Sequence, residues 1–182
     1  MTDTRTATTT WTIDPAHSVI EFAVKHMMFT TAKGRFQDFS GAITLDEQNL
    51  ADSTVDVTIK PASIDTQSDD RDSHLRSADF FDAESFPEAT FHATSVESAG
   101  GDDLRIAGDL TIKGVTQPVV LDAAYQGRGA NPWGQEVIGY EAKTSFSRKA
   151  FGLTWNQALE SGGVLVSDEV KLNLDIQAGL AS

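Results

Sequence analysis

The side chains best equipped for chemistry are four histidines, His17, His26, His74 and His92, and a few charged residues set among apolar strands. No two histidines stand at HxH or HxxxH spacing, so a local metal-binding motif is absent and only a site assembled from distant strands is left open. There are no cysteines, which excludes disulfides, thiolate nucleophiles and Cys-ligated metals. No GxSxG elbow, GxGxxG turn or P-loop occurs. His92 shares a face with Thr90 and Thr94 and is expected in solvent. His26 shares the face of Ile20, Phe22 and Val24 and is expected as a hydrogen-bonded interior residue.

One polar pair is more specific. Arg148 continues the parity of Ile138, Tyr140 and Phe146; Asp168 continues that of Val166, Val170 and Leu172. If these two segments form a hairpin, both charges point inward near its loop. Such a pair reads either as a structural ion pair, because buried charges are rarely left unpaired, or as a polar anchor for a ligand headgroup. His17 and Arg71 are expected to join it if a helix covers that end.

The stretch "RDSHLRSADFFDAESFPEATF", residues 71–91, concentrates arginine, histidine and phenylalanine in a chain that is otherwise only 8% aromatic. Ser68 or Asp69 can cap a helix here, with acidic residues in its first turn favouring the macrodipole, and the helix should run to about Ala78. Phe80, Phe81, Phe86 and Phe91 then supply aromatic surface as a wall or lid.

The elements that must position these residues have a period of two. "HSVIEFAVKHM", "FSGAITLD", "STVDVTIK", "EATFHATSV", "DLRIAGDLTIKG", "QPVVLDAAYQG", "VIGYEAKTSFSR" and "VLVSDEVKLNLDIQA" each alternate an apolar face with a wet one. Turn signals fall between them at 46–49, 98–103, 113–118 and 127–135, so neighbours should pair antiparallel. Eight long alternating strands favour a closed antiparallel barrel over a sandwich, with one helix between strands three and four. The inward Gly41, Ala89, Ala93, Gly108, Ala123 and Ala142 are too small to fill such a barrel, which points to an internal ligand space. Residues 1–10 are expected as a flexible tail and 11–182 as a single domain.

Composition sets further bounds. The 182 residues carry a net charge of −13, and 40% are hydrophobic, a globular composition. The acidic balance argues against nucleic acid and disfavours docking on anionic membranes. "MTDTRTATTT" has no apolar core of a signal peptide, and no apolar run reaches the ~18 residues of a spanning helix. The expectation is a soluble cytoplasmic protein without stable membrane insertion.

Taken in order, "WTIDPAHSVIEFAVKHM", "GRFQDFSGAI", "SIDTQSDDRDSHLRSADFFDAESFPEATF", "GDLTIKGVTQPVVL", "SRKAFGLTW" and "LVSDEVKLNLDIQA" resemble the YceI-like family of lipocalin-like polyisoprenoid-binding proteins, from Trp11 to about Ala178. The resemblance implies an extended eight-stranded antiparallel lipocalin-like β-barrel, all-β apart from one helix, with a homodimer common. It implies a pore holding a polyisoprenoid or similar long-chain lipid, with no cofactor and no established reaction. Many members carry an export signal that this sequence lacks, so a periplasmic location is the family's alternative. Lys149-Ala150 stands where many members have an acidic residue before Phe-Gly, so the resemblance assigns no headgroup contact there.

Strand parity and apolar character nominate Phe22, Val24, Ile43, Val57, Ile59, Phe91, Leu110, Ile112, Tyr140, Phe146 and Leu172 as pore lining. His26, Arg148 and Asp168 are the candidate polar contacts. The leading expectation is a lipid carrier, store or shield. Its rivals are an enzyme using His26, Arg148 or Asp168 for acid–base work on such a lipid, and a stress-related interaction module with a packed core.

Overall fold

The computed structural model describes residues 8–160 and 163–181. In chain order the elements are β1 (Thr8–Ile13), β2 (Val19–His26), β3 (Thr30–Phe36), β4 (Phe39–Asp46), β5 (Thr54–Ile59), β6 (Ile64–Asp65), α1 (Asp69–Arg76), β7 (Ala89–Gly100), β8 (Asp103–Ile112), β9 (Val115–Ala130), β10 (Glu136–Ser147) and β11 (Glu169–Leu180). Every pairing between these strands is antiparallel, and the sheet closes because β1 pairs with both β4 and β11. The result is an eight-walled closed barrel, in which three walls are each built from two strands.

The split walls have local causes. In the first, Ile13 pairs with Ala178 and Val19 with Asp175, so β1 and β2 follow the same neighbour with an interruption between them. Pro15 opens a short 3-10 turn there, and the Asp14 carboxylate accepts the Ala16 N–H at 2.9 Å. Proline cannot donate to a ladder, so the wall breaks at that point. Pro61 divides β5 from β6 in the same way, and Gln37 and Asp38 divide β3 from β4. Backbone bonds from Gln37 N–H to the Ser63 carbonyl and from Lys60 N–H to the Asp38 carbonyl stitch the two gaps together.

β1 begins at Thr8, inside the stretch expected as a tail: Thr8, Thr9 and Thr10 pair with Asp46, Leu45 and Thr44. The polar Thr-rich sequence hides this strand, and the fully buried Trp11 anchors it. Trp11 donates its indole N–H to Thr9 at 2.9 Å and lies 5.1 Å beneath the Arg128 guanidinium.

Helix α1 lies between β6 and β7, on the third-to-fourth connection, capped as its sequence implies: the Ser68 hydroxyl accepts the Arg71 N–H. Buried Asp72 accepts the Thr66 N–H at 2.9 Å, tying the helix to β6. Two apolar clusters hold the walls. One centres on Trp11, Ile20, Phe36 and Ile138; the other on Phe80, Phe91, Leu110 and Phe151.

Candidate functional site: an apolar interior in two chambers

The alternation of the strands delivers a continuous apolar interior, and it is not fully packed. Two chambers of about 110 Å³ each remain, well above the ~10–15 Å³ that one water molecule needs. The first is walled by β1, β2, β4, β5 and β7–β11, through residues such as Ile43, Val57, Phe91, Leu121, Tyr140 and Ile176. The second lies toward α1, among Phe22, Val24, Phe36, Phe80, Phe81 and Phe146. Ile20, Ile59, Leu110 and Leu172 line both, and so form an aliphatic waist between them. No polar atom contributes to either wall surface.

Of the expected pore residues, Ile43, Val57, Phe91 and Tyr140 line the first chamber, and Phe22, Val24, Ile112 and Phe146 the second, with Ile59, Leu110 and Leu172 at the waist. Strand parity missed the parts of the lining that come from outside regular strands: Leu75 on the helix, Phe80 and Phe81 after it, and Leu153 and Val166 in the long β10–β11 connection. The Phe-rich stretch was the one available signal for that end. Ile20, Leu174 and Ile176 had the right parity and were passed over.

Two small residues assigned to open space have another use. A Cβ on Gly108 would sit 2.5 Å from the ring of Phe91, and one on Gly41 2.8 Å from Ile13. These glycines admit neighbouring side chains to the wall; they do not enlarge the chambers.

The polar expectations change more. His26 is exposed, because β2 runs past the rim of the barrel before its parity returns a side chain to the inner face. There it bridges to Val166 through backbone. His92 is exposed as expected, against Asp56. His17 is bound to Asp14 at 2.8 Å and Arg71 to Thr66 at 2.7 Å, so neither joins Arg148. Among the described residues no cluster of three or more His, Asp or Glu is arranged to hold a metal ion.

Arg148 and Asp168 are brought together, with the Arg148 N–H donating to the Asp168 carbonyl at 3.0 Å, but their side chains do not form an ion pair. The buried guanidinium donates to four carbonyls: Ser167 at 2.8 Å, Leu153 at 2.7 Å, Trp155 at 2.9 Å and Val166 at 3.2 Å. Burial draws its pKa below the usual arginine range, with the Asp168 charge acting against that. The Asp168 carboxylate instead accepts the Ser147 hydroxyl at 2.7 Å and the Lys149 N–H at 3.1 Å, which hold it below the ordinary carboxylate range, the Ser147 bond most. Arg148 lines the second chamber, whereas Asp168 lines neither. Arg148 is the hub of the β10–β11 connection, and carbonyls at the end of a broken ladder supply what a carboxylate would otherwise provide. In the first chamber, burial pushes the Tyr140 hydroxyl up to about 12, with neighbouring Tyr125, ring centroids 5.7 Å apart, adding to the shift.

A family profile for the YceI-like domain matches residues 11–178. The chain belongs to the YceI-like family. It is 45% identical over 137 residues to protein YceI of Escherichia coli O17:K52:H18, covering 75% of this chain and 71% of that protein. With the Salmonella newport protein YceI it shares 44% identity over 138 residues, 76% of this chain and 72% of the relative. Among solved structures, Burkholderia cenocepacia BcnA superposes with a TM-score of 0.80 at 26% identity, over 91% of this chain and 98% of that one. The Campylobacter jejuni YceI protein gives 0.75 at 33% identity, over 87% and 90%. A polyisoprenoid-binding domain from Saccharophagus degradans shares the fold, with a TM-score of 0.70 at 16% identity, over 94% and 98%. The lipocalin-like barrel expected from the sequence is therefore the architecture of this YceI-like protein.

Proposed function

We propose that this YceI-like protein binds one long apolar lipid, of polyisoprenoid type, in its barrel and carries, stores or shields it. The observation that carries the reading is the pair of apolar chambers sharing one aliphatic waist. A chain that fills both must pass between Ile20, Ile59, Leu110 and Leu172. The polyisoprenoid-binding domain with the same fold supports this class of ligand.

Binding would be driven by removal of apolar surface from water, at about 0.8 kcal/mol per CH₂. A five-carbon isoprenoid unit then contributes roughly 4 kcal/mol before ordering costs. Nothing on the apolar walls counts units, so tail length is tolerated loosely. Arg148 has four of its five N–H groups committed to backbone carbonyls, which leaves it poorly placed to hold a headgroup. This also weakens the enzymatic alternative, since His26 and Asp168 do not face the chambers.

The test is mass spectrometry of the organic extract from protein purified without detergent, beside an unrelated control protein, repeated after incubation with a long-chain isoprenoid alcohol. The expected result is a stoichiometric long-chain lipid. Leu172→Trp, which blocks the waist at a stability cost of about 1–3 kcal/mol, should retain its fold and lose long chains while keeping short ones. A folded wild-type protein that is empty before and after incubation refutes the proposal.

A further inference from the structure

Three consecutive large apolar side chains, Met27, Met28 and Phe29, stand in solvent at the tip of the β2–β3 hairpin, exposed by 40%, 64% and 81%. The Phe29 N–H donates to the His26 carbonyl at 3.2 Å. Met27 and Met28 both have positive φ, 52° and 65°. A left-handed backbone at two consecutive turn positions is normally met by residues such as Asn and Gly. Here two methionines hold a conformation that side chains disfavour; the Met28 thioether rests against Gly163, and most of both side chains stays in solvent.

The charge around the tip is mixed but richer in cations than the molecule as a whole. The chain carries 27 acidic residues, yet segments 22–37 and 142–159 contain none. Their cations include Lys25 and Lys33 in the first and Lys149 in the second. The two segments meet at this end: Met27 N–H donates to the Leu165 carbonyl at 2.8 Å, and Leu165 N–H to the Gln157 carbonyl at 2.9 Å. Lys171 pairs across to Ala23, and Ala23 to Lys33, so these lysines share one outer face with Lys25. Lys33 and Lys171 lie 4.0 Å from Glu21 and Glu169 respectively, and Lys25 donates to the Thr31 hydroxyl at 3.1 Å.

An apolar tip framed by lysines has the chemistry of a peripheral membrane contact, with Met and Phe among the acyl chains and ammonium groups at headgroup level. We propose that the β2–β3 hairpin tip docks this protein reversibly on an anionic bilayer surface. The net charge of −13 opposes approach from a distance. At physiological ionic strength the Debye length is about 8 Å, so the charges nearest the tip, Lys25 first among them, govern contact rather than the net charge. Net charge argued against such docking because it averages over this local enrichment of cations. The inference goes beyond lipid binding in the barrel and does not depend on what fills it, although Val24 connects the hairpin directly to the second chamber.

The experiment is flotation of the full chain with vesicles of phosphatidylcholine alone, and of phosphatidylcholine with one-third phosphatidylglycerol, at low and high salt. Wild-type protein should float with the anionic vesicles, less so at high salt. Met28→Ser with Phe29→Ser should weaken that binding by at least about tenfold. Lys25→Gln, Lys33→Gln and Lys171→Gln together should remove the preference for anionic lipid. Unchanged urea midpoints would show that both variants fold. The proposal is overturned if wild-type protein stays with the unbound fraction, or if the tip variant binds as wild type does. It is equally overturned if the tip variant only converts a dimer to a monomer in sedimentation without vesicles, for then a second copy is what covers the tip.

Discussion

Replacing Arg148 with methionine should destabilise the protein by about 3 kcal/mol, and the structure says why. The guanidinium makes four hydrogen bonds to the carbonyls of Leu153, Trp155, Val166 and Ser167. A bond from a charged donor contributes about 1.5–3 kcal/mol, so the gross loss is roughly 6–12 kcal/mol. Two effects reduce it. Water can reach the part-buried Ser167, Trp155 and Val166 carbonyls once the chain relaxes, and removing the cation also removes its desolvation penalty, the same burial that lowers its pKa. The Leu153 bond is fully buried and has no substitute. Urea unfolding should give the loss, and thermal unfolding a Tm lower by about 10 °C for a domain of this size. Amide exchange should accelerate through residues 153–160 and 163–167, which the side chain ties down. Arg148→Lys should fall between, because an ammonium cannot span four carbonyls. A methionine variant within 1 kcal/mol of wild type, with unchanged exchange in that connection, would refute the assignment of Arg148 as its hub.

Gly108→Ala should cost about 1–3 kcal/mol in urea unfolding, since its Cβ would stand 2.5 Å from both the His92 carbonyl oxygen and the Phe91 ring. Gly129→Ala, in the same barrel with nothing within 4 Å, should be within about 0.5 kcal/mol of wild type; equal effects at the two sites would discredit the close-packing argument. Tyr140 is held neutral by burial, with its pKa raised to about 12 against about 10 when unfolded. Its contribution is therefore intact below about pH 10 and lost as pH rises through 10–12. That contribution, discounted for partial exposure, is about 1–2 kcal/mol. Tyr140→Phe should remove this alkaline limb from the stability profile, and an identical limb in the variant would show that Tyr140 is not its source.

What lay open in the sequence was whatever depends on period and chain order. Alternation along β5, β8 and β11 placed Val57, Leu110 and Leu172 on the inner face, because successive strand side chains point to opposite faces whatever surrounds them. Motif order pointed to the family, and the capping serine located the helix. Tertiary structure decided everything that depends on where a strand stops relative to its neighbours. Parity put His26 inside, but β2 outruns the barrel rim. Parity also aimed Arg148 and Asp168 at each other, but each found nearer backbone partners in the loop that joins their strands. The waist was beyond sequence reach, because Ile20, Ile59, Leu110 and Leu172 come from four strands whose register is set only when the ring closes. The same holds for the cations gathered near the Met27–Phe29 tip. Composition reports a sum, and only the pairing of β2 with β3 and β11 gathers these lysines around one exposed apolar turn.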